Sequence, residues 1–159
     1  MARTRERAAM DAANRLVQMC GECENALWTA AEVAESVELR DQYRERAAVW
    51  AQFCVALQAA VHELGGMPTR SSGVAHTLRR AWIKIKSGVG DTEAIAAECA
   101  QREAAALRHC GEALQGGIPR PLREVVDRFS RKVSEAKWGS AQGRDSGRSA
   151  GTDRWNAAQ

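Results

Sequence analysis

Proline is scarce in this chain of 159 residues, with three in all, and so are rings other than indole: two Phe and one Tyr against five Trp. A β-sandwich needs β-branched and aromatic residues at alternating positions, so a text dominated by Ala, Glu, Arg, Leu and Gln excludes one. The same vocabulary excludes collagen and a disulfide-stapled miniprotein. No apolar run approaches the roughly 20 residues that a membrane span requires. The opening Met-Ala-Arg-Thr-Arg-Glu-Arg is basic but runs into a mixed amphipathic segment, unlike the apolar stretch of a signal peptide. A surplus of one charge sign is also missing. The net charge of +3 is too small to argue for nucleic acid by itself.

Five cysteines, Cys20, Cys23, Cys54, Cys99 and Cys110, make an odd count without an export signal. Free thiols buried as small hydrophobes in a reducing cytoplasm are the expectation. Hydrophobic residues at 45% suffice for one packed core, and the length favours one domain.

What the chain does have is helical periodicity. From about 8 to 37 the apolar positions Leu16, Cys20, Cys23, Leu27, Ala30, Ala34 and Val37 recur in alternating steps of four and three, one stripe on one helix face. Tyr43, Ala47, Trp50, Cys54, Leu57, Val61 and Leu64 form a second, cleaner heptad series, stopped by Gly65-Gly66 with Pro68 following. The gap between the two, near 38–41, predicts an antiparallel hairpin. A short helix is expected over roughly 74–86, after Ser71-Ser72-Gly73 and carrying Leu78, Trp82 and Ile85. Asp91-Thr92-Glu93 then opens a third long helix with the stripe Ala96, Ala100, Glu103, Leu107, Cys110 and Leu114, ended by Gly116-Gly117. Pro119 and Pro121 start a fourth with Leu122, Val125, Val126, Phe129 and Val133, fading by Trp138. The expected division is a bundle domain over 1–138 and a flexible, Gly/Ser/Arg-rich tail over 139–159, with Trp155 as its one bulky anchor. Four apolar stripes need one common interior, and a four-helix bundle supplies it.

The segment Tyr43-x3-Ala47-x2-Trp50-x2-Phe53-x3-Leu57-x3-Val61-x2-Leu64-Gly65-Gly66-x-Pro68 resembles the second helix and following turn of a bacterial ferritin-like four-helix-bundle family of uncharacterised function. Arg80-Ala81-Trp82-Ile83-Lys84-Ile85-Lys86 is similar to that family's crossover, and the likeness extends over about 12–137. It implies an all-α, ferritin-like fold, with the short extra helix in the crossover between helices two and three. Arg79, Trp50, Ala56 and Ala100 stand where the family commonly has His, Arg, Glu and Glu, which thins the carboxylates.

Three candidate chemistries remain. A di-iron site needs a Glu from each of two helices and a Glu-x-x-His from each of the others. Ala59 and Ala106 stand where His62 and His109 would need their Glu, so the candidate ligands reduce to Glu24, Glu32, Glu103, His62 and His109. Soft thiolates Cys20, Cys23 and Cys54 are the copper or zinc alternative. The cluster His76-x2-Arg79-Arg80-x3-Lys84-x-Lys86 offers phosphate contacts, but a solvated face is the expectation and nucleic acid is not the expected partner. No phosphate loop or nucleophile constellation appears in the sequence. The sequence therefore predicts a non-catalytic, cytoplasmic bundle with no resident cofactor, acting through self-association or protein contacts. Ferritin-like binding of Fe, Cu or Zn is the rival. Trp28, one step off the stripe of helix one, is expected on a flank with Ala31 and Glu35, near the contact of a homodimer formed through helices one and two.

Overall fold

The computed structural model describes residues 1–69 and 92–136, and among these every regular element is an α-helix. α1 spans Ala2–Glu32, α2 Val37–Glu63, α3 Thr92–Gln115 and α4 Arg120–Glu135. No strand occurs among the described residues. The expected helix over 74–86, the basic cluster from His76 to Lys86, and the tail with Trp155 lie outside them.

Local chemistry sets the boundaries. Val37 was expected to close the stripe of helix one; it instead opens α2 and is exposed. The reason is Ser36, whose extended backbone and Oγ, accepting from the Leu39 N–H at 3.1 Å, cap α2, with Glu38 adding a favourable charge in the first turn. Helix one therefore stops at Glu32, and it begins at Ala2, earlier than expected. At the far end of α2, Gly65 takes φ +78 and the chain turns. Gly66 is then favoured on space: a Cβ there would lie 2.8 Å from Met10 Sδ and 2.9 Å from Val61 Cγ1, so one of them would have to shift. Asn14 fastens the segment after it to α1, donating to the Met67 carbonyl at 3.3 Å and accepting from the Thr69 N–H at 3.0 Å.

α1 packs against α2 and α3, and α4 packs against α2 and α3, so α2 and α3 face each other across the interior. α1 and α2 are antiparallel across their short connection. The partners Arg46–Ala136, Gln52–Lys132 and Phe53–Phe129 make α4 antiparallel to α2. Glu22 meets Arg102, and the start of α1 lies beside the end of α3; α3 therefore runs parallel to α2. One continuous core joins all four. Leu57, at the centre of the α2 heptads, has no exposed surface. Trp50, Phe53 and Phe129 stack in series, with centroids 5.9 and 5.1 Å apart.

The α3 register departs from expectation. Its buried residues are Cys99, Glu103, Ala106, Cys110 and Ala113, whereas Leu107 and Leu114 are partly buried at the core's edge. Small residues face inward because the wide side chains of α2, Trp50 and Tyr43 among them, already fill the interior. Among the described residues, no helix is long and apolar enough to cross a membrane.

Candidate functional site

The one buried charged residue among the described residues is Glu103, at 3% exposure. Its position on the α3 stripe drives it across the bundle toward α2. There Arg46 donates from Nε to Oε1 at 3.1 Å and from Nη2 to Oε2 at 2.5 Å, while Trp50 Nε1 donates to Oε2 at 3.1 Å. The same guanidinium reaches the carbonyl of Ala136 at the end of α4 through Nη1. One cation thus ties α2, α3 and α4 together, and the two-pronged geometry is that of a strong charge-assisted pair. A buried carboxylate costs several kcal/mol unless paired and hydrogen-bonded in this way. Arg46 was not singled out by the sequence reading. Its signal was there: it lies four residues before Trp50 on α2, one turn along the same face.

The other carboxylate and imidazole candidates do not converge on Glu103. Glu24 is half-buried on α1, where burial raises its carboxyl above the ordinary range and a hydrogen bond from Trp28 works in the opposite direction. Glu32 is exposed at the last turn of α1 and His62 at the last turn of α2. His109 Nδ1 lies 3.3 Å from Glu112 on its own helix. Among the described residues, no three of His, Cys, Asp and Glu are grouped so as to hold a metal ion.

All five thiols are free and buried. Burial is the first cause in every resolved case: it pushes Cys99 and Cys110 up to about 12 and raises Cys20 and Cys23 strongly as well. Nearby acids add to the effect, Glu103 for Cys23 and Cys99, neighbouring thiols for Cys20. Cys54 Sγ faces the Val17 carbonyl at 3.9 Å. Thiols held in the protonated form are poor nucleophiles and poor ligands, since both roles belong to the thiolate.

Trp28 is the contrasting feature. It is 41% exposed, whereas Trp50 is fully buried. Glu24 lies one turn back on the same helix. Ala31 does not extend the exposed flank as expected, because it turns into the core at 3% exposure; Glu35 is exposed.

No curated protein and no solved structure matches the chain. A family model described as a domain of unknown function, DUF2383, matches residues 8–116, which takes in most of α1, all of α2 and α3, and everything between them. The chain belongs to the DUF2383 family.

Proposed function

We propose that this chain is a non-catalytic helical protein that acts through contacts of its surface, with self-association into a homodimer on the Trp28 flank of α1. The observation that carries this reading is the exposed Trp28. Trp is the residue type most often found at energetic hot spots, because it brings a large rigid area at low entropy cost. Free thiols fit a reducing compartment such as the cytoplasm.

We further read the bundle as ferritin-like, on the parallel direction of α2 and α3. A metal-binding role of the ferritin type is the second reading, and the buried Glu103 is what favours it. It ranks below the first because the Arg46 guanidinium already neutralises that carboxylate, and a second cation beside it would be repelled. Elemental analysis of natively purified protein separates the two. The first reading expects no stoichiometric Fe, Mn, Cu or Zn; one equivalent of any would replace it with the second.

A further inference from the structure

Between the first four turns of α1 and the last two of α3, closed at one end by the α3–α4 turn, lies a groove of about 480 Å³. It is open because both facing helices carry small residues there: Ala8, Ala9 and Ala12 on α1 meet Ala113 and Gly116. Deeper in the bundle, Cys23, Cys99 and the Glu22–Arg102 pair close the same helix interface. The volume falls within the range of small-ligand sites, and its walls are mostly apolar, finished by Leu16 and Ile118.

The charged groups lining it are Arg5, Arg15 and Glu112. Arg5 and Arg15 lie ten residues apart on α1, about 15 Å along the axis, and neither is in an ion pair among the described residues. Glu112, the one acid lining the groove, has its carboxylate 3.3 Å from His109 Nδ1 on α3, a different helix from the two arginines of α1. An apolar trough with exposed guanidiniums at both ends complements a molecule with an aliphatic body and an anionic head. Arginine is suited to a carboxylate, which it grips with two parallel hydrogen bonds. We infer that this groove binds a medium-chain fatty carboxylate, its tail along the alanine floor and its head at Arg15. The Trp28 flank is not part of it, so this inference stands or falls separately from the proposed self-association.

Isothermal titration of the full chain with laurate, kept below its micellar concentration, tests the inference, with dodecyltrimethylammonium as the cationic control. Saturable binding of one laurate per chain is expected, weakened about tenfold by Arg15→Glu through loss of a charge-assisted pair. Ala12→Phe, which fills the trough at a partly exposed position, is expected to abolish binding with the thermal midpoint kept. If Ala12→Phe fails to fold, the exposed Arg15→Glu decides alone. No saturable heat, equal binding of the cationic control, or indifference to Arg15→Glu would overturn the inference. So would a change of solution mass in Arg15→Glu without any laurate effect, which would assign the groove to a second copy of the chain.

Discussion

Replacing Arg46 by Met removes the guanidinium but keeps most of the side-chain bulk, so the loss isolates the charge. Glu103 would be left as a carboxylate with 4% of its side chain exposed, holding only the Trp50 N–H among the three donors now within 3.1 Å. The Ala136 carbonyl would lose its donor as well. Breaking one partner of a buried pair costs about 3–5 kcal/mol. For a chain of this size that corresponds to a fall of about 6–20 °C in thermal midpoint. Adding Glu103→Gln to the same variant removes the stranded charge while keeping an acceptor for Trp50. The double variant is therefore expected to regain about 2 kcal/mol over Arg46→Met alone. Urea unfolding followed by far-ultraviolet circular dichroism reads both. A loss below about 1 kcal/mol in Arg46→Met, or no recovery in the double variant, would show that the pair is not the electrostatic centre of the fold.

Leu57→Ala, at a site with no exposure, is expected to cost about 2–5 kcal/mol, and an unchanged urea midpoint would refute the α2 register. Gly66→Ala is expected to cost about 1–3 kcal/mol through overlap with Met10 and Val61; a neutral result would mean that the turn yields freely. The buried thiols predict an alkaline limit. Burial pushes the Cys99 and Cys110 thiols up to about 12 in the folded chain, against about 8.5 for an unfolded one. Their stabilising contribution is thus complete below about pH 8.5 and lost as pH rises toward 12, because the unfolded chain releases those protons first. Urea midpoints measured at neutral and alkaline pH should fall accordingly, and Cys99→Ala with Cys110→Ala should flatten the decline.

The legible part of this fold was its periodicity. The α2 stripe from Tyr43 to Val61 is buried as its spacing predicts, since a strict heptad with one flanking aromatic leaves a single inward face. The α1–α2 boundary was misread because Val37 fits an apolar repeat, while the cap at Ser36 decides where the backbone turns. In α3, a run of alanines carries little directional information, and the inward face went to the residues that fit beside Trp50 and Tyr43. Glu103 was visible on that stripe as a candidate ligand. Its commitment to Arg46 was not, because the two residues are 57 positions apart and meet only across the bundle. The groove beside Ala8 and Ala12 had no sequence signal at all, because it is made by what small side chains leave unfilled.

The central claim is association through the Trp28 flank, and the mass of the chain in solution tests it most directly. Light scattering across the micromolar range is predicted to give a mass approaching twice 17.3 kDa, reverting to one chain in Trp28→Ala as a hot-spot loss of about 2 kcal/mol weakens the dimer about 30-fold. A mass of one chain at every concentration, or a dimer indifferent to Trp28→Ala, would contradict it.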